Sequence, residues 1–273
     1  MTEVLVVIGV GGMGEAIARR LGTGRQVVLA DFDEKALRRV AEMLTEEGYQ
    51  VRSQSVDVSR RDSVAALAEQ AAALGPVTAV AHTAGLSPAQ ASTAAILAVD
   101  LAGVAFFLDE FEKVIAPGGA GVVIASMAGS LTAGYLPDEA EAALASTPSD
   151  DLLELPLLTA SDLAQPGAAY AVAKRANQIR VQVASMAWGA RGARVNSISP
   201  GVISTAMGRQ ELANESGAGM RAMVAASGTK RLGTAADIAA AAAFLLGPDA
   251  TFVTGTDLLV DGGAVAAARR GGL

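Results

Sequence analysis

VLVVIGVGGMGEAIARRLG, residues 4–22, decides the fold. Residues 4–8 are continuously apolar and mostly β-branched, as a strand buried on both faces requires. A glycine turn at residues 9–14 follows at once, and EAIARRL continues as a helix. Gly9, Gly11 and Gly14 fit G-x-G-x-x-G, and Gly9, Gly12 and Gly14 fit a second glycine spacing. Glycine is needed where the chain turns tightly and where backbone N–H groups must approach a pyrophosphate. The helix N-terminus then adds partial positive charge. Gly9, Gly11, Gly12, Met13 and Gly14 are therefore the expected phosphate contacts of a dinucleotide.

The next strand pattern ends in VVLADFDE, 17 residues past Gly14 at Asp31. A carboxylate there can accept hydrogen bonds from an adenosine ribose and would repel a 2′-phosphate. Phe32 follows it, with no Lys or Arg beside it in the turn, so the expected cofactor is NAD and not NADP. Asp33 competes for the role, but its place ahead of EKALRR reads as a helix N-cap.

Strands and helices alternate beyond this unit. Strand patterns fall at 4–8, 26–30, 50–55, 77–82, 121–126, 193–198 and 257–260. Helical patterns fall at 13–21, 34–47, 62–73, 90–115, about 167–188 and 235–246. The alternation implies an α/β, doubly wound, mostly parallel seven-stranded sheet with helices on both faces. No repeat or linker divides the 273 residues, so one dinucleotide-binding and catalytic domain is expected over 1–273.

Composition narrows the chemistry. Apolar residues make up 51% of the chain, enough for a large core, and Cys is absent. That removes disulfides, thiolate catalysis and Cys-based zinc sites, and it suits a cytoplasmic protein. A single histidine, His82, excludes an all-His metal site. The net charge of −7 and the lack of a basic run argue against nucleic acid. The N-terminal apolar run carries Glu3 and no basic residue, so it reads as a strand and not a signal peptide. The apolar run at 238–246 is far short of a membrane span.

Tyr170 and Lys174, in AAYAVAKRANQIRVQVASMAW, carry the chemistry. Residues four apart share a helix face. A phenol with an ordinary pKa of about 10 is too weak a base near neutrality. A cation one turn away favours the phenolate, which makes the pair a candidate proton donor and acceptor.

With the glycine turn, Asp31 and Y-x-x-x-K, the chain resembles the short-chain dehydrogenase/reductase family in its single-domain Rossmann-type branch. Further motifs agree. Asp57-Val58 resembles the adenine-contacting Asp, and Ala84-Gly85 the end of Asn-Asn-Ala-Gly. Ser126 resembles the catalytic Ser at the end of the fifth strand. Asn196, Pro200-Gly201 and Thr205 resemble the nicotinamide-side segment, and FVTGTDLLVDGG the closing strand. The resemblance implies that Tyr170 exchanges a proton with the substrate oxygen. It implies that Lys174 lowers the Tyr pKa and holds the nicotinamide ribose, and that Ser126 steadies the same oxygen. Asp100 falls where many members carry an Asn that completes a proton relay; the alternative is a helix-interior Asp paired with Lys174. His82-Thr83 replaces Asn-Asn, and His82 reads as a hydrogen-bonded structural residue.

Ser126 and Tyr170 stand 44 residues apart, because an insertion at about 136–167 separates them. It holds Asp138, Glu139, Glu141, Asp150, Asp151, Glu154 and Asp162 and no Lys or Arg. Without those acids the chain would be neutral. LLELPLL, residues 152–158, is too apolar to stay in water, so a partly packed flap or a surface-covering segment is expected, its acids repelling anionic substrates. Residues 204–230 resemble the family's substrate loop, in which Met207, Met220 and Met223 would suit an adaptable apolar pocket. The expected activity is NAD-dependent oxidoreduction of a secondary alcohol or ketone. The expected substrate is neutral and apolar, alicyclic or steroid-like. A redox-inactive dinucleotide-binding or sensor protein is the alternative. The resemblance further implies a homodimer or homotetramer.

Overall fold

Val4–Ile8 (β1) lies inside a sheet, flanked by strands on both sides, with every residue fully buried. The computed structural model describes residues 2–159, 163–213 and 217–271. Six further strands complete the sheet: β2 (Gln26–Asp31), β3 (Gln50–Ser55), β4 (Val77–His82), β5 (Ile115–Ile124), β6 (Arg194–Pro200) and β7 (Asp257–Val260). Their order is β3-β2-β1-β4-β5-β6-β7, and every neighbouring pair is parallel. The chain builds outward from β1 in one direction, then crosses back to β4 and builds the other way. Ligands of such sheets bind at the strands' carboxyl ends, where the order reverses. Here that point lies between β1 and β4.

Side-chain alternation along β1 divides the core. Leu5 and Val7 join Ile17 of α1 (Gly12–Leu21), Leu37 and Val40 of α2 (Glu34–Glu46) and Ile238 of α11 (Ala235–Leu246). Val4, Val6 and Ile8 join Leu67 of α3 (Arg61–Leu74), Phe107 of α5 (Gly103–Val114) and Trp188 of α8 (Pro166–Ala190). A strand with helices on both sides has no polar face to spare, which explains its unbroken apolar run. The remaining helices are α4 (Thr93–Ile96), α6 (Met127–Thr132), α7 (Asp138–Ser146), α9 (Ala206–Ala213), α10 (Gly217–Ala226) and α12 (Ala264–Arg269). No described helix is long and apolar enough to cross a membrane.

Three expectations need correction. Strand β5 starts at Ile115, not 121: Ile115 pairs with Val77, and the register shifts before Ala120 pairs with Ala79. Pro117, Gly118 and Gly119 disguise that start as a turn. The strand also ends at Ile124, so Ser126 stands beyond it. The helix expected at 90–115 is divided by a π segment, Leu97–Ala102, that carries Asp100. The segment widens the helix where it must turn a carboxylate inward.

The insertion is structured. Leu144, Leu152, Leu158 and Leu163 pack with Ile96 and Leu101 and with Ala169, Val172, Ala173 and Ala176 of α8. Arginines then fix it in place. Arg175 binds Glu141 through two hydrogen bonds of 2.7 and 2.9 Å. Arg180 donates to the carbonyls of Leu144 and Thr147, both at 3.0 Å, and to Ser149 Oγ at 2.9 Å. Arg61 reaches Asp150 at 2.8 Å while also holding Asp109 and Glu110. Glu141 and Asp150 therefore serve docking; Asp162, and residues 214–216 of the expected substrate loop, lie outside the described residues.

Arg180 is buried and ends the α7 backbone, whereas the Arg175–Glu141 pair is partly solvated. Arg180→Ala is expected to lower unfolding free energy by about 3 kcal/mol and Glu141→Gln by under ~1 kcal/mol. Urea denaturation measures both values. Equal losses from the two would contradict this account of how the insertion is held.

Candidate active site

Beyond β5, Ser126 caps α6, its Oγ accepting from the Ala128 N–H at 3.1 Å. Helix α6 can lie against α8 only because of Gly129. A Cβ there would stand 2.7 Å from the Lys174 carbonyl carbon and 2.8 Å from the Arg175 nitrogen. That close crossing puts Ser126 and Tyr170 in the wall of one cleft. Lys174 follows one turn along α8, its Nζ 5.4 Å from the centre of the Tyr170 ring.

Lys174 is only 4% exposed. Its Nζ donates to the Ile124 carbonyl at 3.3 Å and stands 3.8 Å from Asp100 Oδ1. The same Asp100 oxygen accepts from the Leu86 N–H at 2.9 Å. Gly85 lies between: a Cβ there would come within 2.7 Å of Asp100 Oδ1 and 3.3 Å of Lys174 Nζ. Burial pushes the Asp100 carboxyl up, against the pull of Lys174 and the Leu86 N–H. Asp100 thus sits beside Lys174 within the π segment, with Oδ2 buried and unpartnered among the described residues.

The phenol departs from expectation. Burial raises the Tyr170 pKa above its ordinary value; Lys174 pulls it down, Asp100 pushes it up, Ser126 pulls it down through a hydrogen bond, and Glu211 pushes it up. The ammonium acts in the expected direction, but desolvation outweighs it.

At the nucleotide end, Asp31 Oδ2 accepts from the Val10 N–H at 2.7 Å and Oδ1 from the Asp33 N–H at 2.9 Å. The carboxylate ties the end of β2 to the glycine turn. Asp33 caps α2, its Oδ1 accepting from the N–H groups of Lys35 at 2.9 Å and Ala36 at 3.1 Å. Gly9 has φ +93°, and a Cβ on it would lie 2.5 Å from the Ala84 nitrogen. A Cβ on Gly14 would lie 1.9 Å from the Gly9 carbonyl oxygen, whereas one on Gly11 would meet only open space. Gly12 faces Thr205. Thr83 Oγ1 donates to the Gly9 carbonyl at 2.7 Å and so locks the turn.

Two clefts meet here. One, of about 480 Å³, is lined by Gly9, Gly11, Asp31, Asp57, Val58 and Ala84. The other, of about 460 Å³, is lined by Met13, Ser126, Tyr170, Lys174, Pro200-Gly201 and Thr205. Thr83, Gly85 and Leu86 border both. A paired cleft with a carboxylate at one end, a glycine turn at its middle and a phenol at the other fits an extended dinucleotide.

Two residues depart from expectation, Asn196 in its place and His82 in lacking the hydrogen bonds expected of it. Asn196 is buried, donating to the Val253 carbonyl at 2.9 Å and accepting from the Thr256 N–H at 3.1 Å. It anchors the segment before β7 and does not line the cleft. His82 makes no hydrogen bond through either ring nitrogen among the described residues; it packs against Phe107, ring centres 5.1 Å apart. Sequence reasoning missed Gly129, the Thr83 lock, and Glu211, which lines the cleft from α9. Among the described residues no cluster of three or more acidic or histidine side chains could hold a metal ion.

Chemically, the site offers a hydroxyl donor, a phenol able to exchange a proton, and a fixed ammonium beside them. A family model described as enoyl-(acyl carrier protein) reductase matches residues 9–146 and 136–265. The chain is 47% identical over 268 residues to short-chain dehydrogenase/reductase bsc3 of Alternaria brassicicola, covering 97% of this chain and 96% of that protein. It is 31% identical over 269 residues to 2-(S)-hydroxypropyl-CoM dehydrogenase 3 of Xanthobacter autotrophicus, covering 97% of each. A solved short-chain type dehydrogenase/reductase from Mycobacterium ulcerans matches with a TM-score of 0.74 at 25% identity, over 97% of this chain and 90% of that one.

Burial, then the charge of Lys174, pushes His82 down to about 3. The unfolded chain protonates near 6.5, so it binds more protons than the folded state between those values. Stability contributed by His82 is therefore lost as pH falls through that window. As the only histidine, His82 can be followed by proton NMR. Its ring resonances are expected to stay constant from pH 8 to 5 in the folded protein, and a midpoint near 6.5 would contradict its burial as a neutral ring.

Proposed function

The chain belongs to the short-chain dehydrogenase/reductase family, and we propose that within it the protein transfers a hydride between NAD(H) and the carbinol carbon of a secondary alcohol. The observation that carries this reading is the meeting of Ser126, Tyr170 and Lys174 in one cleft, which adjoins a second cleft ending at Asp31. Nicotinamide, when bound, supplies the hydride acceptor or donor. The chain supplies everything else. Ser126 donates a hydrogen bond to the substrate oxygen and holds it beside the phenol. Tyr170 gives that oxygen a proton in reduction and takes one in oxidation. An ordinary tyrosine with a pKa of about 10 is already protonated near neutrality, and burial raises that of Tyr170 further, so the phenol is ready to act as an acid. Lys174 lowers the cost of the phenolate that oxidation requires, and Asp100 with the Ile124 carbonyl holds Lys174 in place.

The choice of NAD rests on Asp31. Among the described residues no Lys or Arg lines the adenosine-side cleft, so nothing there would neutralise a 2′-phosphate beside that carboxylate. Gly9, Gly11, Gly12, Met13 and Gly14 would hold the pyrophosphate, Asp57 and Val58 the adenine, and Ala84, Gly85, Pro200, Gly201 and Thr205 the remainder. An apolar substrate body is supported by Met127, Leu131, Met207, Met220 and Met223 in the cleft wall. Self-association as a dimer or tetramer is supported by the edge strand β7 with exposed Leu259, and by fully exposed Phe252.

Tyr170→Phe is expected to bind NADH, read by its fluorescence, as the wild type does, while turnover of secondary alcohols falls at least ~100-fold. Undiminished turnover would overturn the assignment. Asp31→Ser is expected to raise the NADP-to-NAD ratio of kcat/KM about tenfold or more by removing a like charge. An unchanged ratio would remove Asp31 from cofactor choice.

A further inference from the structure

Among the residues lining the substrate cleft, one is acidic: Glu211, on α9. Its neighbours in that wall include Leu86, Pro88, Met207, Met220 and Met223, none of which can answer a carboxylate. The side chain is held and not adrift. Oε1 accepts from Ser87 Oγ at 2.5 Å, and Ser87 is itself buried, its oxygen also accepting from the Ala89 N–H at 3.2 Å. Gln90 and Gln210 make a second bond between the same loop and helix. Among the described residues Oε2 has no hydrogen-bond partner and Glu211 no cation. The carboxylate lies close enough to the reacting end for its charge to be felt at the Tyr170 phenol. Ser87 satisfies one oxygen, and Oε2, which is not buried, is left open to an outside donor.

We infer that Glu211 is the substrate's second anchor: it accepts a hydrogen bond from a hydroxyl that the substrate carries away from the reacting carbon. The protein then prefers diols and hydroxy ketones to simple alcohols and ketones, and it excludes carboxylated analogues by charge. A neutral hydroxyl suits the site better than an ammonium group, because the methionine-rich wall would have to desolvate a second formal charge. Charge selection then falls to one residue in the cleft and not to the acids of the insertion. None of the described insertion acids lines that cleft.

This inference rests on the oxidoreductase reading, and its test separates the two. Oxidation by NAD is compared for cyclohexanol, the 1,2-, 1,3- and 1,4-cyclohexanediols, and 3- and 4-hydroxycyclohexanecarboxylate. The best diol is expected to exceed cyclohexanol at least tenfold in kcat/KM, as a hydrogen bond to a charged acceptor implies, and both carboxylates to fall below it. Glu211→Ala is expected to reduce the diol-to-cyclohexanol ratio at least tenfold, and Glu211→Gln to raise the carboxylates relative to cyclohexanol. Ser87→Ala loosens the latch but keeps the carboxylate, so the diol preference is expected to persist. Diols no better than cyclohexanol, or the same ratio in Glu211→Ala, would overturn the inference while leaving the oxidoreductase reading intact. Should no compound be oxidised, the oxidoreductase reading fails. The anchor is then decided by calorimetry of the diols on the NAD-saturated Tyr170→Phe protein. Tenfold weaker binding on adding Glu211→Ala sustains it, and equal binding ends it.

Discussion

A buried ammonium must be compensated where it lies, and much of the site follows from that requirement at Lys174. Taking such an ion out of water costs several kcal/mol even after relaxation. Three separate parts of the chain answer it. The end of β5 presents the Ile124 carbonyl, and the π segment turns Asp100 inward. The loop after β4 passes close by, because Gly85 has no side chain to block the approach of carboxylate and ammonium. Each of these also places a functional group. The chain leaving β5 reaches Ser126, and the loop after β4 forms the floor shared by the two clefts.

Charge elsewhere in the molecule follows a different logic. The insertion concentrates the acids that give the chain its net charge, yet Glu141 and Asp150 face arginines of α8 and α3. Its leucines close an apolar surface over α4, the π segment and α8. The insertion is therefore held by burial and by partly solvated pairs. In the cleft that Tyr170 lines, the one acidic side chain, Glu211, is held by a buried serine.

Much of the fold was legible because its signals are local. An unbroken apolar run, a glycine turn and a helical period each lie within about 20 residues of one another at the N-terminus, and the alternation repeats along the chain. Tyr170 and Lys174 were legible for the same reason, since helical spacing alone puts them on one side. What escaped depends on contacts between distant segments. Ser87 and Glu211 are 124 positions apart, and Thr83 meets Gly9 across 74. Gly129 looks like any loop glycine until α8 is laid against it. The start of β5 was hidden by Pro117 and its glycines, which a parallel neighbour can accommodate through a register shift. Asn196 fits a motif by position, yet its hydrogen bonds hold the segment before β7. The raised Tyr170 pKa escaped too, because spacing reveals a neighbouring charge but not the desolvation that opposes it.

The central claim is that the buried Lys174 ammonium acts on the Tyr170 hydroxyl across the cleft that both line. Ultraviolet difference titration of tyrosinate, with Tyr170→Phe as the blank, isolates that hydroxyl from Tyr49 and Tyr135. The account predicts a midpoint above the ordinary tyrosine value, moved to still higher pH by Lys174→Met and unmoved by Lys113→Met. Coincident curves for the wild type and Lys174→Met would contradict it.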